Sequence, residues 1–191
     1  MHPLQVHFLR QTELNDAEFE KCLKYFDELQ FARRDLVIKS GQQVECQYFV
    51  IEGCLRTYYL DEHDKEHTVQ FAIENWWASD FISYYTGSES IMNVECIEDS
   101  RLLCITKDDL NSLFEEVPAL EHFFRKQLEN AFVAFQKRIL ANLHKTAEER
   151  YDDFIASYPN IEQRVKNYQI ASYLGITAES LSRIRKLRMQ H

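Results

Sequence analysis

Residues 168–188 read YQIASYLGITAESLSRIRKLR, and the fold turns on this stretch. Gly175 stands where one helical period stops and the next begins. Glycine reaches the φ > 0 backbone of a sharp turn without strain. Thr177 follows as the N-cap of a second helix. Ile170, Leu174, Ile176, Leu181 and Ile184 fall in register to fill one small core, and Ala171 is small where two crossing helices must approach. The pattern predicts a helix-turn-helix whose second helix is free to enter the major groove of DNA. The outer face of that helix carries Ala178, Glu179, Ser182, Arg183 and Lys186. Near its start, Glu179 can accept from cytosine N4 and Arg183 can donate to guanine O6 and N7. Thr177, Ser180, Arg185 and Arg188 are placed for phosphates, which fix register without specifying sequence. A plain helical hairpin with a solvated basic face is the alternative. Against it, five apolar positions, the alanine and the glycine all fall in register beside local positive charge.

The charge is uneven. The 191-residue chain carries a net charge of −9. Residues 160–191 hold six Lys/Arg and two acids, and the remaining 159 residues hold 16 basic and 29 acidic residues. This asymmetry predicts an anion-facing C-terminal module on an acidic body.

Upstream of the motif, Thr146-Ala147-Glu148-Glu149 is a T-x-x-E capping box, opening a helix that ends near Tyr158-Pro159. Before it, Ala119 to Leu143 contains no Gly or Pro, and Pro118 opens this long segment. Leu120, Phe123, Phe124, Leu128, Ala131, Phe132, Phe135, Ile139 and Leu143 recur at 3–4 spacing. The stripe is wide enough to pack on the chain's own body and on a second copy of itself. Lys107 to Glu116 reads as a shorter helix.

From Arg34 to Thr106 the period changes. Leu36–Ile38, Tyr48–Ile51, Leu55–Leu60, Thr68–Ile73, Met92–Ile97 and Arg101–Ile105 are short segments rich in β-branched and aromatic residues, with Ser40-Gly41 and Glu52-Gly53 as turns. Many short strands at this spacing predict a sandwich or jelly roll. At the N-terminal side, residues 15–30 read as one helix, with Phe19, Cys22, Leu23, Phe26 and Leu29 on one face.

Several function classes are set aside. A jelly roll can hold a metal, and His63 and His67 lie among acids in the charged stretch 61–67. They occupy a hairpin tip, however, so a solvated loop is expected and no metal ligand is assigned. The five cysteines form no C-x-x-C pair and read as small buried hydrophobes. No nucleophile–base motif or phosphate-cradling Gly loop occurs, so no catalytic residue, cofactor or enzyme activity is expected. No 18-residue apolar run exists, and the start lacks a basic region followed by an apolar one. Neither a membrane span nor a signal peptide is expected, and the cytoplasm is the expected compartment.

With these elements in order, the whole chain resembles the Crp/Fnr (catabolite activator / fumarate–nitrate regulator) family. Residues 170–183 are similar to that family's R-E-T-V-x-R recognition-helix pattern. Glu179 and Arg183 stand at its base-reading positions and Ser180 at a phosphate-contacting Thr, while Ala178 replaces the first Arg. The resemblance implies an α+β fold: a cyclic-nucleotide-binding-like β jelly roll, a long dimerisation helix and a C-terminal helix-turn-helix. The expected division is a sensor domain over 1–118, a dimerisation helix over 119–145 and a DNA-binding domain over 146–191. The family adds a β-hairpin wing after the recognition helix; this sequence ends at His191, and no wing is expected. Only Cys22 precedes residue 46, so the iron–sulfur branch's N-terminal cluster is not expected.

The resemblance also locates an effector pocket at Trp76, Trp77, Ser79, Asp80, Ser90 and Ile91, with Phe135 and Gln136 from the long helix. Asp80 stands for a ribose-binding Glu. Ser90 falls at the phosphate-binding Arg, with Glu89 beside it, and no Lys or Arg occurs between His67 and Ser100. Trp76, Trp77, Phe81, Tyr84 and Tyr85 either line an apolar pocket or fill the roll. The expected function is a DNA-binding transcription regulator whose effector is not cyclic AMP. The expected partners are double-stranded DNA, a second copy of the chain and a small-molecule effector. The alternative is a sensing or interaction module on a jelly roll that has lost sequence-specific DNA binding.

Overall fold

In the computed structural model, which describes residues 1–188, backbone pairing sets the architecture. Residues 189–191, the end of the expected DNA-binding domain, lie outside the described residues. Helices α1 (Pro3–Phe8) and α2 (Asp16–Leu23) precede β1 (Asp27–Phe31), β2 (Leu36–Ile38), β3 (Cys46–Glu52), β4 (Leu55–Leu60), β5 (Glu66–Ala72) and β6 (Trp77–Ala78). Then come α3 (Phe81–Thr86), β7 (Met92–Cys96), β8 (Ser100–Thr106), α4 (Lys107–Glu116) and α5 (Ala119–His144). The chain closes on α6 (Ala147–Ser157), α7 (Ile161–Arg164), α8 (Asn167–Leu174) and α9 (Ala178–Arg188).

The strands form two antiparallel four-stranded sheets, ordered β1-β8-β3-β6 and β2-β7-β4-β5. Val50, Leu55, Ala72, Val94 and Leu102 fill the space between them. The far side of the first sheet is covered by α1, α2, α4 and the start of α5, packed around Phe49, Leu103, Leu113, Leu120 and Phe123. Trp77 joins this layer, its ring 5.3 Å from Phe49 and 5.0 Å from Phe124.

One expectation fails here. The helix read over 15–30 stops at Leu23, and Asp27–Phe31 is a strand instead. Asn15 and Glu18 do form a capping box, and Phe19 and Cys22 are buried. Downstream, β1 pairs with β8 in continuous register, from Asp27 opposite Cys104 to Phe31 opposite Ser100. Leu29 and Phe26 carry a helical spacing by coincidence. The free edge of β8 offers five residues of backbone pairing, which outweighs the weak local preference.

The second sheet is covered by the C-terminal helices. Phe71 on β5 is fully buried, its ring 6.0 Å from Phe154, 6.0 Å from Tyr158 and 5.7 Å from Tyr173. Cys54 and Phe71 therefore share one core with Ile161, Ile170, Leu174 and Leu181. Since β5 is an edge strand, its outward backbone groups need partners. Ser172 on α8 supplies two: its hydroxyl accepts from Thr68 N–H at 2.8 Å and donates to Glu66 O at 2.8 Å. Among the described residues, no helix is long and apolar enough to cross a membrane.

Candidate nucleic-acid interface and sensor roll

The turn between α8 and α9 forms as the sequence requires. Gly175 adopts φ 67°, ψ 34° and returns its N–H to the carbonyls at the end of α8. Thr177 Oγ1 accepts from Ser180 N–H at 3.2 Å and so caps α9. Ile170, Ala171, Leu174 and Leu181 are buried beneath the turn. Glu179, Ser182, Arg183 and Lys186 are exposed on one side of α9. A backbone N–H and the Thr177 hydroxyl hold the Glu179 carboxyl below its usual range, so it presents an ionised acceptor. Arg183 donates to Ser180 Oγ at 3.3 Å, and among the described residues neither Arg183 nor Lys186 makes an ion pair.

Arg185 and Arg188 are held differently from the free phosphate contacts expected of them. Arg185 is fixed by Glu162 at 2.7 Å and Tyr151 at 3.0 Å, with Asn167 as a further acceptor. Arg188 pairs with Asp152 at 2.7 Å. Arg164 is turned to the roll, bridging Glu74 at 2.7 Å and Glu98. Three of the six basic residues behind the C-terminal charge excess thus face acids of their own chain, and Lys166, Arg183 and Lys186 make no ion pair among the described residues.

The eight expected effector-pocket residues divide. Ser79, Asp80 and Ser90 come together, all buried. Asp80 caps α3: Oδ1 accepts from Ile82 N–H at 3.0 Å and Ser83 N–H at 3.3 Å. Its Oδ2 lies 2.7 Å from Ser90 Oγ, which in turn accepts from Met92 N–H at 3.1 Å. Ser79 Oγ donates to Cys46 O at 2.8 Å. The other five do not join them. Trp77 packs into the helical layer, and Trp76 turns to the opposite side against Tyr158, ring centres 5.1 Å apart. Ile91, Phe135 and Gln136 are exposed. Of the two readings of the aromatics, filling describes Trp76, Trp77 and Tyr84, while Tyr85 is exposed.

Sequence reasoning missed Arg56. It is fully buried on β4, with Nη1 2.6 Å from Glu66 and 3.1 Å from Glu95, and Nε donating to Thr68 Oγ1 at 2.9 Å. Gln169 of α8 reaches the same Glu95 at 3.3 Å. The available signal was Leu55-Arg56-Thr57-Tyr58, all buried: this strand is covered on both faces, so a charge inside it must be paired.

Comparison with known proteins agrees with this geometry. Residues 28–117 match the cyclic nucleotide-binding domain family. The regulatory protein HlyX of Actinobacillus pleuropneumoniae is 23% identical over 172 residues, covering 80% of this chain and 67% of that one. The fumarate and nitrate reduction regulatory protein of Vibrio cholerae is 23% identical over 185 residues, covering 90% and 72%. Both relatives are thus longer than this chain. Among solved structures, FixK2 from Bradyrhizobium japonicum superposes with a TM-score of 0.72 at 18% identity, over 86% of this chain and 85% of that one. A CooA mutant from Carboxydothermus hydrogenoformans does so with a TM-score of 0.72 at 18% identity, over 95% and 87%. The fold is that of a cyclic-nucleotide-binding-type roll with a long helix and a terminal helical module. The chain carries a cyclic nucleotide-binding domain and is similar over most of its length to transcription regulators of the fumarate–nitrate type.

Proposed function

We propose that this chain acts as a dimer on double-stranded DNA in the cytoplasm, with α9 as its recognition helix. The observation that carries the reading is the exposed row Glu179, Ser182, Arg183 and Lys186 on a helix capped by Thr177 and set by Gly175. The row joins one ionised acceptor to two cations without ion-pair partners among the described residues. These are the groups that read cytosine and guanine edges in a major groove. Thr177, Ser180, Arg185 and Arg188 flank the row and contact phosphates in this reading. Residues 1–118, 119–145 and 146–191 serve as sensor, dimerisation and DNA-binding parts.

The roll in this reading takes no cyclic nucleotide. A cyclic phosphate is an anion that needs a cationic partner once it leaves water. Here the first N–H groups of α3 already serve the Asp80 carboxylate, and Ser90 stands beside it.

The test is a titration of labelled duplexes selected from a random pool, at several salt concentrations. A selected sequence should bind far more tightly than random duplex, with log affinity falling linearly in log salt. Absence of binding to any duplex at low salt overturns the reading. It would leave the module that has lost DNA binding, which the internal pairing of Arg185 and Arg188 favours.

A further inference from the structure

A cleft of about 400 Å³ opens where β5, α5, α6 and α8 meet, between the roll and the C-terminal helices. Its polar side chains include His67, Thr68, Arg138, Asn142, Arg150 and Ser172, and no Asp or Glu lines it among the described residues. The chain has 31 acids against 22 Lys and Arg, so two arginines on one cleft without a carboxylate call for a reason. Neither Arg138 nor Arg150 forms an ion pair among the described residues.

Both guanidiniums are nonetheless held in place. Arg138 donates to Val69 O and lies 4.2 Å from the centre of the Tyr173 ring. Arg150 donates to Lys145 O at 2.8 Å and Leu174 O at 3.2 Å. Carbonyls neutralise no charge, and a guanidinium has five N–H donors, so most of the fork is unused in each case. The Arg150 Nε is buried with no partner, which is costly for a charged donor. Ser172 is engaged with the β5 backbone. The Asn142 side chain is exposed at the rim.

We propose that this cleft binds a small molecule through a dianionic oxyanion group, phosphate or paired carboxylate, seated between Arg138 and Arg150. Two fixed guanidiniums without an acid partner among the described residues suit that chemistry, because each keeps N–H donors that the carbonyls leave unused. The site is separate from the roll's own slot, where Asp80 fills the start of α3. An occupant would touch the roll at His67 and Thr68, the long helix at Arg138, α6 at Arg150 and the helix-turn-helix at Ser172. It would therefore stabilise the arrangement in which all four elements are in place. That consequence for DNA rests on the function proposed above, whereas binding itself does not.

The experiment is calorimetry of the full chain without DNA at low ionic strength, with inorganic pyrophosphate in one arm and citrate in the other. Saturable binding of one probe molecule per chain is expected, with a dissociation constant below about 1 mM in at least one arm. Pyrophosphate alone marks a phosphate ligand, citrate alone a polycarboxylate, and either result supports the site. Arg138→Gln and Arg150→Gln should each weaken binding about tenfold or more, while Arg125→Gln, remote on α5, should not. Asn142→Ala, at an exposed position, should weaken it without affecting folding. No saturable binding in either arm overturns the proposal. So does binding that survives both cleft arginine substitutions in variants whose thermal melts match the parent. Because no DNA is present, failure here leaves the DNA-binding reading standing, and failure of that reading leaves this site.

Discussion

Asp80 and Ser90 lie 2.7 Å apart at the start of α3, both out of contact with solvent. A cyclic nucleotide placed there would bring its phosphate against the Asp80 carboxyl oxygens, with no Lys or Arg in the sequence between His67 and Ser100 to offset its charge. Calorimetry of the ligand-free chain with cyclic AMP and cyclic GMP should show no binding at micromolar concentration; a low-micromolar dissociation constant for either contradicts this. In the proposed reading the side chains of α9 separate by role. Arg183→Ala should cost about 1–3 kcal/mol per half-site on the selected duplex and relax its sequence preference. Arg188→Ala also loses the Asp152 pair, and it should weaken all duplexes alike and lower the salt slope by about one. Identical behaviour of the two variants on selected and random DNA would show that the base and phosphate roles were wrongly divided. The residue types on α9 were legible in advance. That Arg185 and Arg188 first meet Glu162 and Asp152 was not, because those acids are separated from them along the chain and approach only when α6 and α7 pack beside α9.

Helix α5 has two unequal halves. Leu120 and Phe123 are buried against the first sheet, whereas Leu128, Phe132, Phe135, Ile139 and Leu143 are exposed, Phe132 by 60% and Leu143 by 77%. Such an apolar face on a 26-residue helix is the feature that the proposed second copy would cover. Two copies packed in parallel would set two recognition helices about 34 Å apart, one turn of DNA. Phe132→Glu should shift sedimentation from dimer to monomer at micromolar concentration and abolish tight binding to a two-half-site duplex. A parent chain that sediments as a monomer with and without DNA refutes this pairing. The spacing of the stripe announced α5, but not where its own domain would stop covering it. That point depends on how far α1 and α4 extend over the first sheet.

At the scale of the whole chain, the C-terminal helices sit on the roll through an aromatic core around Phe71 and a polar frame around it. Arg164 is the main ionic element of that frame. Burial works against the charged form of Glu74, but its hydrogen bonds from Arg164 and from backbone together outweigh this and hold its carboxyl below the ordinary 4.5. A carboxyl depressed in the folded state contributes stability that is present above pH 4.5 and is lost as pH falls through the lower folded value. Arg164→Ala should cost about 1–3 kcal/mol, between exposed and buried ion pairs. It should also raise tryptic cleavage at Lys145 and flatten the loss of stability in acid. An unchanged urea midpoint with unchanged cleavage would assign the docking to the aromatic core around Phe71 and the Ser172 contacts to β5.

The sequence by itself determined the local events. The helix-turn-helix followed from Gly175, Thr177 and five apolar positions, the α6 start from Thr146 and Glu149, and most strands from alternation and turns, since each depends on neighbours within a few residues. Tertiary structure alone decided that residues 27–31 are a strand, because the edge of β8 lies some seventy residues further along the chain. It decided that Asp80 meets Ser90, and that Trp76 and Trp77, adjacent in the chain, serve opposite layers. It also turned Arg164 inward to Glu74 and left Arg138 and Arg150 facing one cleft. Local sequence sets backbone preference, while which charge meets which depends on how distant elements pack. No period in the sequence encodes that arrangement.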